Sequence, residues 1–369
     1  MNTVCHITVR HSPSDTRIFH KECKTLSQYY NVVLMAPGAG NTEIEGIRMI
    51  DLKPTPEGWF QRMKYAFGYL YKKARAEKAA IYHLHDPELL PLALLLRRTG
   101  HKVIFDVHED YASTFNEHGY SKIVIRAFHY FNKKVARQCG IILAESSYIN
   151  LYRDIARNYC VVENFCNPAQ FAGYIVPNRS SLNRLIYIGT LHTHRGALYM
   201  LEVLHQLRKK GLDLSLDLVG NSTEPKLMAK AEALPFYREI KNHVVWHGRL
   251  PLRESYALTQ QAFAGLCLLD YQPNHMESYP TKLFEYMACG LPVVASNIPL
   301  YKAVVERREC GITVPYGDAE TAAEKIEEMY RNPEQRQAFA ANGPDAVRMN
   351  YNWNAEENIL LDFYKKMLG

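Results

Sequence analysis

Several markers of particular protein classes are missing from this chain of 369 residues. Its eight cysteines form no Cys-x-x-Cys pair. Several of them lie in apolar runs, as Cys267 does within residues 263–269, and such a setting is typical of reduced thiols in a core.

Signals for membrane insertion or export are also missing. No stretch approaches the roughly 20 consecutive apolar residues that a membrane-spanning helix needs. Residues 1–3 lead into a short strand-like segment, without the charged start, apolar middle and small-residue cleavage site of an export signal. We therefore expect a cytoplasmic protein.

The fingerprint of a dinucleotide-binding fold is incomplete. Residues 38–43, Gly-Ala-Gly-Asn-Thr-Glu, follow a predicted strand but lack the third glycine. Residues 44–51 do not have the pattern of the helix that should follow. A surface turn explains the segment better, which is evidence against a dehydrogenase.

The charge is mildly positive, +6, and unevenly distributed. Residues 62–78 and residues 122–137 are rich in Lys and Arg with interleaved aromatic and aliphatic side chains, a composition that favours anionic membrane surfaces. Either segment could instead be a solvated helix face that covers a core. Because two such segments lie in one half of the chain, we favour a membrane-facing surface, and no recognition motif indicates nucleic acid.

With 47% hydrophobic and 22% charged residues, the composition is that of a folded protein, and short β-rich runs alternate with helical patterns. This alternation predicts parallel sheets built from βαβ units. The predicted strands of the first half are Val4–Val9, Asn31–Ala36, Ile81–Leu84, Lys102–Val107 and Ile141–Ala144.

After Asn164 an irregular stretch rich in Pro, Gly, Asn and Ser predicts a linker, and the pattern then restarts. Two consecutive Rossmann-like halves follow from this repetition. The predicted strands of the second half are Leu185–Ile188, Leu214–Val219, Val244–Trp246, Phe263–Leu269, Pro292–Ala295 and Ile312–Val314.

Residues 277–296 are the most informative segment, and they predict a loop, a helix, a turn and a strand. Pro280 suits a helix start and Gly290 a helix end. The unpaired N–H groups at the start of that helix can bind a diphosphate. Glu285, about a turn further on, can accept hydrogen bonds from ribose hydroxyls, and Glu277 lies in the preceding loop.

This segment resembles the hallmark of the retaining family-4-type glycosyltransferases, a Glu–seven residues–Glu motif followed by Ala-Met-Ala-x-Gly-x-Pro-Val-Val-Ala or a close variant. The fold implied is GT-B, an α/β architecture of two Rossmann-like, doubly wound parallel-sheet domains with a cleft between them. The resemblance continues in residues 187–190, 195–196, 218–220, 246–250 and 310–314. Residues 15–22, 83–87 and 105–109 resemble the branch that builds bacterial surface polysaccharides such as lipopolysaccharide or capsule.

The resemblance implies roles for single residues. Glu285 would bind the donor ribose, and Glu277 would contact sugar hydroxyls near the reacting carbon. Arg195 would neutralise the diphosphate, and His108 would lie across the cleft near the donor sugar and the acceptor hydroxyl. No protein nucleophile is assigned, and no Asp-x-Asp metal motif or bound cofactor is expected. The remaining donor-binding positions are Gly189, Thr190, Gly220, Arg249, Thr281 and Leu283.

The sequence departs from the family pattern at two places. The usual Gly-Phe-Gly after the first Glu is Ser-Tyr-Pro here, and Pro280 has no N–H to offer. Thr190 stands where an Arg is common, and Arg195 stands where a Lys is common. One cation is therefore missing, and we hypothesise that Lys282 supplies it.

Several residues allow a structural alternative. His108 could be a structural histidine oriented beside Asp106. Asp86, and with it His85, could cap the helix after Pro87 rather than contact an acceptor. Asp15 and Arg17 could pair with each other to order the first loop, and Glu277 could be a solvated loop acid.

The resulting prediction is an acceptor-side domain over residues 1–175, a donor-binding domain over 176–349, and a helix over 350–369 that returns to the first domain. The enzyme would transfer a hexose-type unit with retention to a lipid-linked or membrane-bound glycan, peripherally on the inner face of the plasma membrane. A UDP-sugar is favoured as donor, with GDP-mannose as the competitor. The alternatives are a nucleotide-sugar 2-epimerase of the same fold, against which the Glu–seven residues–Glu motif argues, and a nucleotide-sugar-binding scaffold without turnover.

Overall fold

The structure is a computed structural model that describes residues 1–54, 56–117, 119–179 and 181–369. The chain divides into two compact units, residues 1–164 with 353–369 and residues 165–352. Within the described residues, no helix combines the length and the apolar character that a membrane crossing requires. The predicted domain limits at 175 and 349 stay a prediction.

The first unit contains an eight-stranded sheet in the order β3-β4-β2-β1-β5-β6-β7-β8. All neighbouring strands are parallel except β3 and β4, which form an antiparallel hairpin at one edge. Its strands are β1 (Thr3–Ile7), β2 (Asn31–Pro37), β3 (Thr42–Ile44), β4 (Ile47–Leu52), β5 (Ile81–Leu84), β6 (Lys102–Val107), β7 (Gly140–Leu143) and β8 (Asn158–Val161).

Helices cover both faces of this sheet, since successive strand residues point to opposite sides. One apolar core lies under the helical segments 59–76, 90–98 and 122–138. The other lies under residues 18–27 and the C-terminal helix Trp353–Leu368. The helices of this unit, including 3-10 and π turns, are Ile18–Cys23, Lys24–Ser27, Trp59–Tyr65, Ala66–Leu70, Tyr71–Ala76, Pro87–Leu89, Leu90–Arg98, Tyr111–Glu117, Lys122–Gln138, Ser146–Tyr148, Ile149–Tyr152 and Trp353–Leu368.

The second unit contains a six-stranded, fully parallel sheet in the order β11-β10-β9-β12-β13-β14. The strands are β9 (Arg184–Ile188), β10 (Ser215–Val219), β11 (Val244–Gly248), β12 (Ala262–Cys267), β13 (Val293–Ser296) and β14 (Gly311–Val314). The helices are Pro168–Gln170, Ala172–Tyr174, Thr193–Arg195, Ala197–Lys209, Leu227–Glu232, Tyr237–Ile240, Lys241–His243, Leu252–Ala257, Leu258–Gln261, Pro273–Glu277, Thr281–Ala288, Pro299–Val305, Ala319–Arg331 and Pro333–Asn350.

Every strand predicted from the sequence is present, with ends shifted by one or two residues at most. The prediction missed β3, β4 and β8. The hairpin of β3 and β4 turns through Glu45 (φ 53°) and Gly46 (φ 76°), so that two positive φ angles close a two-residue loop. The surface turn predicted over residues 38–43 is therefore correct only up to Asn41, because Thr42 already begins β3.

Candidate active site

The helix Thr281–Ala288 of the second unit has the boundaries that the sequence motif predicts. Pro280 is its N-cap and makes no side-chain cap hydrogen bond. The first amides of the helix therefore receive no hydrogen bond from a capping side chain. At the other end Gly290 has a φ of 58°, and the Leu291 amide donates to the Tyr286 carbonyl at 3.0 Å. This is the closure expected for a glycine after a helix end.

Lys282 is buried at the start of this helix. Its Nζ donates to the Tyr187 hydroxyl at 3.1 Å and lies 4.5 Å from the centre of the Tyr187 ring. Among the described residues, no carboxylate comes within 4.0 Å of this ammonium group. A buried charge without a counter-ion is costly, so the position favours an anionic ligand.

The glycines predicted as donor contacts lie beside this lysine. A Cβ on Gly189 would come within 3.0 Å of Lys282 Nζ, and a Cβ on Gly220 would come within 1.9 Å of the Gly189 carbonyl oxygen. Thr190 accepts a hydrogen bond from the Tyr187 hydroxyl through its carbonyl, at 2.8 Å. Lys282, Gly189, Thr190 and Gly220 are thus brought together where β9 and β10 end.

Glu285 is half-buried, and one of its carboxylate oxygens accepts a hydrogen bond from the buried Tyr256 hydroxyl. Burial, and then the adjacent Glu285 carboxylate, raise the pKa of Tyr256 well above its usual value, so the hydroxyl remains a donor. Sequence reasoning missed Tyr256, which occupies an unremarkable position in the helix Leu252–Ala257.

The other predicted donor residues differ in their surroundings. Arg195 and Arg249 are exposed, and the structure shows neither a hydrogen bond nor an ion pair of their side chains within the described ranges. Thr281 is half-buried at the first helical position. The Leu283 side chain is fully buried, and its amide already donates to the Pro280 carbonyl at 3.0 Å, so this amide is not free for a ligand.

Glu277 does not lie in a loop as predicted, because it ends the short helix Pro273–Glu277. Pro273 at the first position starts that helix. The Glu277 side chain is exposed, without a hydrogen-bonding or ion-pair partner in the part of the chain that the structure describes. Asp270, close by in sequence, is instead the centre of a network, since its carboxylate contacts His194 Nδ1 at 2.9 Å and His275 Nδ1 at 2.8 Å.

In the first unit, His108 follows β6 and belongs to a buried network. Its Nε2 lies 3.0 Å from Asp106 Oδ2 and 3.1 Å from His85 Nδ1. Arg17 donates to both oxygens of Asp106 at 2.9 and 3.0 Å. Burial alone would raise the pKa of the Asp106 carboxyl, but Arg17 and His108 hold it well below its usual value.

The suggested pairing of Asp15 with Arg17 is therefore wrong for the side chains. The Arg17 guanidinium reaches across to Asp106, the better partner because a bidentate pair can form. Asp15 accepts hydrogen bonds from the backbone amides of Arg17 and Ile18, both at 2.9 Å, and thus still orders the first loop.

The suggested capping role of the Asp86 side chain is also wrong. Asp86 precedes the 3-10 turn Pro87–Leu89 but makes no side-chain cap hydrogen bond. Its carboxylate instead accepts hydrogen bonds from the Thr8 hydroxyl at 2.9 Å and from the Val9 amide at 2.5 Å, and so fixes the end of β1.

A cavity of about 390 Å³ opens beside His108 in this unit. It is wide enough for part of a small-molecule ligand. Its lining residues are Arg10, His11, Asp86, His108, Glu109 and Tyr111.

The two basic segments of the first unit form helices with exposed apolar side chains. Phe60 and Phe67 are 57% and 45% exposed, and Ile123 and Tyr130 are 68% and 56% exposed. Their inner faces pack on the core, as the alternative interpretation required. Each helix therefore covers a core and also presents apolar groups to solvent.

Part of the second unit is similar to a known family. Residues 175–346 match the glycosyl transferases group 1. The matched segment contains the helix Thr281–Ala288, Glu285 and the glycines beside Lys282. This segment is therefore similar to the group 1 glycosyl transferases.

Glycosyltransferases are also found among the similar proteins of known name. Over 206 residues, 55% of this chain and 51% of the relative, the sequence is 27% identical to a phosphatidyl-myo-inositol mannosyltransferase from Mycobacterium leprae. A glycosyltransferase from Haemophilus influenzae is 30% identical over 152 residues, 41% of this chain and 40% of the relative. The chain spans about half the length of the curated relatives it matches.

Solved structures extend the likeness to both units. HepE of Anabaena in complex with UDP-glucose superposes with a TM-score of 0.75 over 99% of this chain and 100% of that chain, at 13% identity. WaaG, a glycosyltransferase involved in lipopolysaccharide biosynthesis, has a TM-score of 0.74 over 97% and 98%, at 14% identity. These likenesses confirm the predicted GT-B fold class.

Proposed function

We propose that this chain is a retaining glycosyltransferase that transfers a hexose-type sugar from a nucleotide-diphosphate sugar to a lipid-linked or membrane-associated glycan. The observation that carries the proposal is the buried Lys282 ammonium, which lacks a carboxylate partner among the described residues and lies at the start of a helix beside Gly189. A diphosphate supplies the missing negative charge, and amides at a helix start bind the same group.

In this proposal the transfer needs no divalent metal at the diphosphate. The helix dipole, Lys282 and Arg195 neutralise the leaving group, which helps to deprotonate the acceptor hydroxyl. Glu285, oriented by Tyr256, holds the donor ribose, and Glu277 contacts the sugar. His108, oriented by Asp106, lies near the donor sugar and acceptor. Residues 1–175 form the acceptor side, residues 176–349 bind the donor, and residues 350–369 return to the first domain.

The donor is a UDP-sugar, with GDP-mannose as the competitor. The Anabaena structure is a complex with UDP-glucose, which favours a UDP-sugar. The Mycobacterium leprae relative is a mannosyltransferase, which keeps GDP-mannose as an alternative. The likeness to WaaG supports a place in surface polysaccharide synthesis. The exposed aromatic and aliphatic side chains on the basic helices support an anionic membrane surface as partner.

The test compares Lys282→Met with Lys302→Met, a lysine on the exposed side of the helix Pro299–Val305. Methionine keeps most of the volume of lysine but removes the charge. We expect Lys282→Met to weaken UDP binding about 10- to 100-fold, the usual worth of a charged hydrogen bond. Its unfolding temperature without nucleotide should be maintained or raised, because an unpaired buried charge is removed.

Binding is measured by titration calorimetry and by thermal shift with UDP, GDP, ADP and their sugars. Lys302→Met should bind as the unchanged protein does. Equal UDP affinity in both variants would refute the role of Lys282. Conversion of a nucleotide sugar into its 2-epimer without acceptor would identify an epimerase, and binding without any donor turnover in acceptor extracts would identify a scaffold.

A further inference from the structure

Four side chains in the first unit, outside the residues proposed for the reaction, converge in its interior. His6 lies on β1, His83 lies on β5, and His85 follows β5 directly, while Glu22 comes from the helical turn Ile18–Cys23. His6 and His83 are paired in register on neighbouring parallel strands. All four residues are fully buried. Alternation along the strands therefore points three imidazoles to one sheet face, where Glu22 meets them.

One nitrogen or oxygen atom from each of the four residues lies within 4.8 Å of the other three. Glu22 Oε2 lies 3.9 Å from His6 Nδ1, 3.9 Å from His83 Nδ1 and 4.0 Å from His85 Nε2. His6 Nδ1 and His85 Nε2 are 3.0 Å apart. A tetrahedral ion with bonds of about 2.0–2.1 Å requires donor separations of about 3.3–3.4 Å. An ion would therefore draw the Glu22 carboxylate and the imidazoles closer together and move His6 Nδ1 and His85 Nε2 slightly apart.

The hydrogen bonds among the described residues leave the carboxylate oxygens of Glu22 unused, whereas His6 Nδ1 and His85 Nε2 share a hydrogen bond that an ion would replace. Neither carboxylate oxygen of Glu22 accepts a hydrogen bond from any described residue, although Arg17 Nε lies 3.1 Å from Oε1. That guanidinium already donates to Asp106. Oε2 faces the imidazoles, and a buried carboxylate oxygen without a hydrogen bond needs a cation or a proton.

The groups around the cluster are those that orient metal-bound histidines. Asp106 Oδ2 lies 3.5 Å from His85 Nδ1, the ring nitrogen that faces away from Glu22. The Tyr364 hydroxyl lies 3.4 Å from His6 Nε2, the nitrogen of that ring that is not a proposed ligand. It also lies 2.7 Å from His83 Nδ1, a hydrogen bond that an ion on this nitrogen would replace. A carboxylate or hydroxyl on the far nitrogen is the usual support of a histidine ligand.

We propose that His6, His83, His85 and Glu22 bind one zinc ion that stabilises the first unit. Imidazole nitrogens with a single carboxylate suit zinc and exclude calcium and magnesium, which prefer oxygen ligands.

An ion at this place would also influence His108. His85 would bind zinc through Nε2 and keep a proton on Nδ1, which lies 3.1 Å from His108 Nε2 and 3.5 Å from Asp106. The ion would thereby fix the tautomer of His85 and the orientation of His108. Zinc here is a structural and positioning group, and the donor diphosphate remains without a metal.

The first experiment uses the full chain, produced with zinc in the medium and purified without chelator. Elemental analysis should find about one zinc per chain, retained through gel filtration, because a buried site exchanges slowly. Chain refolded with Co²⁺ should show the visible absorption bands of four-coordinate cobalt. The unfolding temperature should fall after refolding with EDTA and recover after refolding with Zn²⁺ alone.

The second experiment compares Glu22→Gln and His83→Gln with the control His129→Gln, an exposed histidine on the helix Lys122–Gln138. In both cluster variants the zinc content per chain should fall at least about tenfold, and Zn²⁺ should no longer raise the unfolding temperature. The control should keep the zinc content and the rise in unfolding temperature. If the cluster variants do not fold, the zinc content, the cobalt spectrum and the effect of EDTA on the unchanged protein decide the question. Less than a tenth of an equivalent of zinc, no cobalt bands and no effect of EDTA would overturn the proposal and leave a network that shares protons.

Discussion

Side chains of the candidate site take their properties from partners that are distant in sequence. Tyr256 donates to Glu285 from 29 positions earlier, and Tyr187 lies under the Lys282 ammonium from 95 positions earlier. Both tyrosine hydroxyls orient a charged group that the sequence motif identified by itself. An orienting partner of this kind restricts the rotamers of the charged side chain and so prepares it for a ligand.

At the same scale, Glu356 makes stability depend on pH. Burial raises its pKa to about 7, although its Oε2 accepts a hydrogen bond from the Glu163 amide at 2.8 Å. Between about pH 4.3 and 7 the Glu356 carboxyl is therefore protonated in the folded chain, whereas in the unfolded chain, where its pKa is about 4.3, it has lost the proton. Stability from this group is present below about pH 4.3 and is lost as the pH rises to about 7.

Glu356→Gln should therefore stabilise the chain at pH 8 by about 1–2 kcal/mol and have little effect at pH 4.5. Gln can still accept the hydrogen bond from Glu163. Urea denaturation at the two pH values measures the difference, and Glu328→Gln, an exposed acid on the helix Ala319–Arg331, is the control. A gain of the same size at both pH values would contradict the pKa argument.

Among the elements, the helix Lys122–Gln138 has two faces of different character. Val124, Phe128 and Val135 are buried against the sheet, whereas Ile123 and Tyr130 are exposed on a surface that carries basic side chains. Ser121 caps the helix start by accepting from the Val124 amide. The inner face thus stabilises the helix, and the outer face is the one that we propose to contact an anionic membrane.

Phe67→Ser with Ile123→Ser should weaken binding to vesicles that contain anionic phospholipid at least about tenfold, since each replacement removes about 1 kcal/mol or more of apolar contact. Co-sedimentation measures the bound fraction, and higher salt should lower it further. The control is Met228→Ser with Leu252→Ser, which are exposed apolar residues of the second unit. Equal loss in both double variants would argue against a specific membrane face.

On the scale of the whole molecule, the first unit is completed by the end of the chain. The helix Trp353–Leu368 places Trp353, Leu360, Phe363 and Tyr364 in the same apolar core as residues from β1, β2 and β5. The cores of the second unit include none of these four residues. A substitution that weakens the packing of the last helix should therefore destabilise the first unit.

Leu360→Ala should destabilise the first unit by about 2–5 kcal/mol, because Leu360 is fully buried. Ile359→Ala, a neighbouring residue that is 42% exposed, should cost less than about 1 kcal/mol. Hydrogen exchange followed by mass spectrometry assigns the loss of protection to a unit. UDP binding should be unchanged in both variants, and weaker UDP binding in Leu360→Ala alone would show that the two units do not respond independently.

Local patterns in the sequence were enough to predict the parallel strands of both sheets, the helix Thr281–Ala288 and its end at Gly290, because periodicity, proline and glycine act over a few residues. They did not predict β3 and β4, because a Glu45–Gly46 turn is a weaker hairpin signal than Asn-Gly. The pairing of Arg17 with Asp106 becomes visible only in the folded chain, as does the cluster of His6, Glu22, His83 and His85. Those contacts depend on which strands become neighbours, and strand order follows from the packing of the whole unit rather than from local sequence.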